Sequence, residues 1–368
     1  MNRKYISIKI EGDFIDSFIY SGILFLVSAN SQISIYNWKG LLSNISDKCL
    51  YNFLKDCRNG LNLVGDEYQE IYIEAKQLKE HKSGETLPLK AWTTDIYVYS
   101  NRLYIADENG VYTVNFDYDS KMLVQNTQFQ LWDKYAYKIS PNDNFRVAIA
   151  AGSNGIITAF PRFDKSSQQI NEIKTIEINS YDCEWIGNNL ITNSQDGCYV
   201  LVFAELPEKP SKPNKEYYTN VNRLKQQTPE RIKIDNDSQA SIIYYWMAGR
   251  KLFSLLKNGE VIEKDINVLQ DIKTPSFKLQ ISSRVLAVRS ALFGAVIEMG
   301  DNLLSLTENG VDSISHRPVS WRVFPRAKNY LNHLHIVEND YLAIRAYFVS
   351  DEDDSDNYGI SLNEVIEK

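Results

Sequence analysis

Two histidines, His333 and His335, stand two residues apart in the segment HLHIV. On a β-strand that spacing puts both side chains on one face, as in a pair of metal ligands. A zinc site needs three or four ligands, and no Asp, Glu or Cys falls at a matching interval, so the pair alone specifies no metal centre. The acidic run Asp351-Glu352-Asp353-Asp354-Ser355-Asp356 offers oxygen ligands for calcium, with Asp354, Asp356 and Gly359 at the first, third and sixth loop positions. Tyr358 at the fifth and Val365 at the last break that pattern, because the final position requires a bidentate Glu. A solvated loop, extended by like-charge repulsion, is the expectation. Cys49 and Cys57 lie ~12 Å apart along a predicted helix, and Cys183 and Cys198 ~9–10 Å apart on non-adjacent strands, so both pairs exceed disulfide reach. Nucleophile-elbow, Walker A, dinucleotide and H-E-x-x-H motifs do not occur, so the sequence supports no catalytic residue, cofactor or metal.

Two segments carry binding chemistry instead. The first, 207–233, has seven Lys and Arg against three Glu and reads as a long exposed loop. In it Tyr217 and Tyr218 could stack on bases, and with Arg223 and Lys225 they are the candidate partner-binding residues. The second, 316–328, holds Arg317, Trp321, Arg322 and Arg326, residue types enriched in interface hot spots. The net charge of −7 repels nucleic acid and anionic membranes, which argues for one or more protein partners.

The elements that must position these residues are strands. Hydrophobic residues make up 43% of the 368, and 23 Tyr dominate the aromatic 12%, a supply of β-formers suited to a large all-β protein. At the N-terminus Ile6, Ile8 and Ile10 alternate with polar residues, which is strand periodicity rather than a signal segment. No run approaches ~18 apolar residues, so no transmembrane helix is expected and a cytoplasmic location with reduced thiols follows.

The clearest unit is LYIADENGVYTVNF, residues 103–116, two alternating runs about Asn109-Gly110, which predicts a hairpin with a type I′ turn at that pair. Similar pairs recur at Asn154-Gly155, Asp196-Gly197, Asn258-Gly259 and Asn309-Gly310. First strands near 14, 95, 135, 181, 241, 284 and 333 give a repeat of ~40–50 residues once insertions are removed. The first unit reads as strands 14–20, 23–29, 33–38 and 70–75, the fifth ends on 277–281, and the sixth on 320–324. The last offers 333–337, 341–349 and 360–365, with strand 5–10 left over to complete it. On that reading His333 and His335 line a hydrated central channel.

This organisation resembles the WD40-like seven-bladed β-propellers over essentially the whole chain, in pattern rather than motif. Trp132-Asp133 stands alone, and no Gly-His precedes the units. The resemblance implies one domain over 1–368, seven blades with six or eight as alternatives, and a ring closed by the N-terminal strand. A two-domain β protein is the competing architecture. Two insertions, 39–69 and 204–230, interrupt third-to-fourth strand connections. A helix at 47–58 is expected in the first, with Ser46 as its cap and Leu50, Phe53, Leu54 and Cys57 on one face. Long insertions in an economical repeat point to function. The expected function is a non-catalytic scaffold or partner-sequestering regulatory subunit that binds through the insertion face and is regulated by proteolysis of 207–230. The alternative is a propeller hydrolase acting on a small molecule at the channel mouth.

Overall fold

A computed structural model describes residues 5–58, 69–117, 119–163, 168–194, 196–234, 242–248, 251–265, 271–273, 279–307 and 310–348. The strands form seven sheets, six of them of four strands in chain order and the last completed by the N-terminal strand, making a seven-bladed β-propeller. Blade 1 comprises Phe14–Tyr20, Ile23–Ser28, Gln32–Asn37 and Lys82–Pro88. Blade 2 comprises Thr93–Tyr99, Arg102–Asp107, Gly110–Asp117 and Met122–Trp132, and blade 3 Lys138–Pro141, Val147–Ala150, Ile156–Phe163 and Gln168–Ile176. Blade 4 comprises Glu184–Ile186, Asn189–Ser194, Gly197–Val202 and Glu230–Ile234, and blade 5 Ile242–Ala248, Lys251–Leu256, Val261–Asp265 and Asp271–Lys273. Blade 6 comprises Val285–Ala291, Gly294–Met299, Asn302–Thr307 and Gly310–His316. Blade 7 comprises Ser320–Val323, His333–Val337, Tyr341–Tyr347 and the N-terminal strand Tyr5–Glu11, extended by Gln69–Ile73.

Internal contacts divide the chain into two compact units. One contains 1–90, 116–124 and 240–368; the other contains 91–115 and 125–239. In the first, one core cluster packs blade 5 on blade 6 through Trp246, Phe253, Val288 and Ile297. In the second, Ile105-flanking residues Tyr104 and Ala106 pack with Ile139 and Ile149, and Trp185 packs with Ala148 and Leu201.

The N-terminal strand takes the expected fourth place in the last sheet, pairing Tyr5 to Tyr347 through Glu11 to Tyr341. Several other assignments shift. Residues 70–75 were expected to finish blade 1, but Gln69–Ile73 pairs in parallel with Tyr5–Glu11, and Lys82–Pro88 takes the fourth place. Only Leu87 is buried in that polar strand, so it carries no alternation to read. Blade 7 begins with Ser320–Val323 rather than His333–Val337, and blade 6 ends at His316. The cause lies in a disguised hairpin at Leu292-Phe293, both buried: Leu292 packs with Cys57 and Leu331, and Phe293 stacks on Tyr347 at 3.9 Å. An apolar turn reads as continuous strand. In blade 5 the fourth strand is Asp271–Lys273, and Leu279 is apolar because it is buried against the Gly259 turn. The 360–365 strand and the acidic run 351–356 lie outside the described residues.

The turn chemistry also differs from expectation. Asp107 pairs with Gly110, so Glu108 and Asn109 occupy the two turn positions, and the Asp107 carboxylate accepts from Asn109 N–H at 2.7 Å. The left-handed pair sits instead at Ser100 (φ 48°) and Asn101 (φ 61°), between the first two strands of the blade. Gly110 answers a different demand: φ is +129°, and a Cβ there would lie 2.0 Å from the Trp132 carbonyl oxygen. Gly110→Ala should therefore cost about 2–3 kcal/mol in urea unfolding. Gly187→Ala, at φ +57° with nothing within 4 Å of the new Cβ, should cost about 1 kcal/mol.

Among the described residues, three short helices lie between the third and fourth strands of blade 1: α1 (Trp38–Leu42), α2 (Lys48–Lys55) and α3 (Ala75–Glu80). Asp47, not Ser46, caps α2, its carboxylate accepting from Cys49 and Leu50 N–H at 2.8 and 3.1 Å. A carboxylate is the better match to the positive helix end. The predicted face is right: Leu50, Phe53, Leu54 and Cys57 are buried. Phe53 stacks on Phe348 at 5.4 Å, and Trp38 Nε1 donates to the Leu54 carbonyl at 3.1 Å. The apolar face of α2 is thus consumed within its own unit. Residues 59–68 of the insertion lie outside the described residues.

Candidate functional site

His333 and His335 occupy the second strand of blade 7 and are fully buried, so neither lines a hydrated channel. Their rings lie 6.1 Å apart, and His333 packs against Tyr330 and Trp38. Desolvation pushes His333 down to about 3, and His335 well below the usual range, so both are neutral near pH 7. His335 Nδ1 and Ser17 Oγ share a hydrogen bond of 2.9 Å. Such a pair would suit a nucleophile and base, but both side chains are sealed from solvent. Among the described residues no three His, Cys, Asp or Glu side chains converge as metal ligands do. All four cysteines are free thiols, with Cys49 exposed and the others buried.

The 316–328 residues divide by role. Arg317 is exposed and pairs with Asp301 at 2.9 Å. Trp321 is held by Glu298, its Nε1 donating at 2.8 Å, and Arg322 is mostly buried against Asp16 at 2.7 Å. Arg326 is partly exposed beyond the strand. The fold therefore employs Trp321 and Arg322 internally and leaves Arg317 at the surface.

The 207–233 segment lies in the other unit and is not a plain loop. Residues 215–226 form α4 (Lys215–Gln226), in the connection between the third and fourth strands of blade 4. Asn214 caps it, accepting from Tyr217 N–H at 2.8 Å. Tyr217, Val221, Leu224 and Lys225 turn their half-buried side inward, while Tyr218, Asn222 and Arg223 face solvent. That i, i+4, i+7 spacing is legible in the sequence but is masked by the polar composition around it. The exposed part preceding α4 contains Lys209 and Lys212, each followed by Pro.

The C-terminal end of α4 is fixed by two cations from blade 3. Arg146, 2% exposed, donates to the Lys225 carbonyl at 3.4 Å while its guanidinium lies 4.2 Å over Phe160 and 4.4 Å over Phe203. Lys174 donates to the Gln226 and Gln227 carbonyls, the second at 2.6 Å. Positive groups at these carbonyls offset the negative end of the helix dipole.

Arg146 is anchored by the turn before it. Asn142 Oδ1 accepts from Asn144 and Arg146 N–H at 3.1 and 2.9 Å, Asn142 N–H donates to the Arg146 carbonyl at 2.8 Å, and Phe145 N–H to the Asn142 carbonyl at 3.1 Å. This fully bonded turn holds Phe145 at φ +62° with the residue 57% exposed. A bulky aromatic in the left-handed region is a steric outlier, and its ring meets that of Tyr99 at 5.9 Å. Asn144 Nδ2 reaches Asn188 Oδ1 on the neighbouring turn of blade 4 at 2.8 Å. Phe145 precedes the second strand of the blade, which begins at Val147. The Pro141-Asn142-Asp143-Asn144 run was the available turn signal. The result is one surface of blades 3 and 4 with an aromatic anchor, Phe145, and a basic, tyrosine-bearing helix.

Comparison with solved structures agrees with the fold. The chain is similar to BBS1N in complex with ARL6DN, from a crystal soaked with mercury, at 9% identity and TM-score 0.53, covering 96% of this chain and 100% of that one. The same complex soaked with lead matches at 10% identity and TM-score 0.51, covering 94% and 95%. No protein-family description matches the chain. No curated protein matches it either.

Proposed function

We propose that this chain is a non-catalytic propeller that scaffolds or sequesters a protein partner through the Phe145 and α4 surface of blades 3 and 4. The observation that carries this reading is Phe145 itself. A left-handed Phe costs on the order of 1 kcal/mol, and such strain persists where the surroundings impose it for function. The turn imposes it with four hydrogen bonds and presents the ring to solvent. Around that anchor, the exposed Tyr218 and Arg223 supply the residue types that dominate interface energetics. The partner should place an apolar pocket over Phe145 and acidic groups opposite α4. The similar propeller BBS1N is solved in complex with a protein, ARL6DN, which supports the same class of role here. The sealed Ser17–His335 pair favours this reading over a hydrolase.

Phe145→Gly tests it, because Gly occupies the left-handed region without strain. The variant should melt within a few degrees of the parent or above it. Yet proteins captured by the parent chain from its own cells should be lost, with affinity down roughly 30-fold, as expected for about 2 kcal/mol of hot-spot energy. Unchanged capture by Phe145→Gly would refute the assignment. Charge reversal at Arg223 should lower the association rate and leave the melt unchanged.

A further inference from the structure

The same unit carries a second surface, at the opposite ends of the strands from Phe145. Turns between second and third strands and connections between successive blades meet there, since each strand reverses the one before it. Tyr135 and Tyr181 lie on the connections entering blades 3 and 4, and Tyr137 two residues beyond Tyr135. Their rings form a continuous cluster: Tyr135 to Tyr137 at 4.5 Å, and Tyr137 to Tyr181 at 4.7 Å, nearly perpendicular. The three residues remain 36–49% exposed. Beneath them is Gly152 (φ +58°), where a Cβ would lie 2.9 Å from the Tyr137 ring and 3.3 Å from that of Tyr181. Gly152 N–H donates to the Ser180 carbonyl at 3.0 Å, so the platform rests on bonded backbone.

The charge on the connections and turns around this cluster is mostly negative. Asp133 shares a connection with Tyr135, and Glu177 and Asp182 share one with Tyr181. Glu108 lies on the blade 2 turn that is tied to the 133–137 connection by Ala136 N–H donating to the Asp107 carbonyl at 3.2 Å. Asp196 lies on the blade 4 turn after the strand that carries Thr192, whose hydroxyl donates to the Asp182 carbonyl at 2.8 Å. Against these five carboxylates stands Lys134, whose ammonium lies over the Trp132 ring at 5.6 Å. Exposed aromatic faces, with carboxylates on the adjoining connections and turns, match a planar cation. A guanidinium stacks on tyrosine and donates bidentate hydrogen bonds to carboxylates, whereas an ammonium is more strongly hydrated and acts as a point charge.

We propose that the Tyr135–Tyr137–Tyr181 surface binds an arginine-bearing segment of a partner protein, at a site separate from Phe145 and α4. The probe is a short synthetic peptide alternating Gly and Arg, compared with Gly-Lys and Gly-Glu peptides of equal length by calorimetry at low salt. The Gly-Arg peptide should bind at least about fivefold more tightly than Gly-Lys, and Gly-Glu should not bind. Tyr181→Ala should weaken Gly-Arg binding at least about tenfold, Tyr181→Phe should keep it within about twofold, and Phe145→Gly should leave it unchanged. Retention by Tyr181→Phe guards against loss through misfolding. Absence of Gly-Arg binding, or equal binding of Gly-Arg and Gly-Lys that survives Tyr181→Ala, overturns the proposal. So does sedimentation of the parent as an oligomer that Tyr181→Ala dissociates, because the occupant would then be a second copy of this chain.

Discussion

Acidification from neutral pH to about pH 4 should remove about 3 kcal/mol of stability through His333 alone. Burial holds its folded value at about 3, against an ordinary histidine at 6.5. Within that window the unfolded chain binds a proton that the folded chain refuses, so stability rises with pH. The contribution is complete above the unfolded value and is lost as pH falls through it toward the folded one. His335 acts in the same direction, with the Arg322 guanidinium adding to its desolvation and Ser17 at its Nδ1. Asp16, the other charged group nearby, is joined to Arg322 at 2.7 Å. Among the described residues neither ring nitrogen of His333 has a hydrogen-bond partner, and its neighbours include the Trp38 and Tyr330 rings. His333→Leu should therefore fold with little loss at neutral pH and show a shallower decline on acidification. Urea titrations of both proteins across this range measure the difference. Parallel decline in the two would show that carboxylates alone set the acid limit.

Arg322→Ala should destabilise by about 3–4 kcal/mol, the cost of leaving a buried carboxylate without its guanidinium. Asp16 and Arg322 are each only about a tenth exposed, and Arg322 also lies over the Phe18 ring at 5.3 Å. The ion pair joins the first strands of blades 1 and 7. Arg317→Ala, five residues earlier, should leave stability almost unchanged because its pair with Asp301 is solvent-exposed. Adding Asp16→Ala to Arg322→Ala should recover part of the loss, which a double-mutant cycle resolves. If Arg322→Ala were as mild as Arg317→Ala, the pair would not be a structural tie. The contrast separates two arginines that look equivalent in sequence.

The blades that were most legible are those with ordinary turn residues and buried second and third strands. Blade 2 follows its predicted strands closely because Leu103, Tyr104, Ile105 and Ala106 before the turn, and Val111, Tyr112 and Val114 after it, are all buried. Outer strands were harder, since a strand with one buried residue, such as Lys82–Pro88, has no periodicity to detect. The candidate surface was half visible. Tyr217, Tyr218, Arg223 and Lys225 do lie together on α4, which the structure shows as a helix where a loop was expected. Phe145 was hidden, because a left-handed backbone leaves no mark on residue type when the residue is aromatic.

Local chemistry, then, determined that this chain forms repeated antiparallel hairpins, that the N-terminal strand completes the last sheet, and that 47–58 contains a helix buried along Leu50, Phe53 and Leu54. Those outcomes depend on alternation, capping and turn residues, which act over a few positions. Tertiary structure alone decided that Gln69–Ile73 joins blade 7, that His333 and His335 are interior, and that Arg322 is a tie while Arg317 stays at the surface. It also gathered Tyr135, Tyr137 and Tyr181 around Gly152. Each of these depends on which residues distant in the chain exclude water from one another. Sequence spacing does not encode that distance.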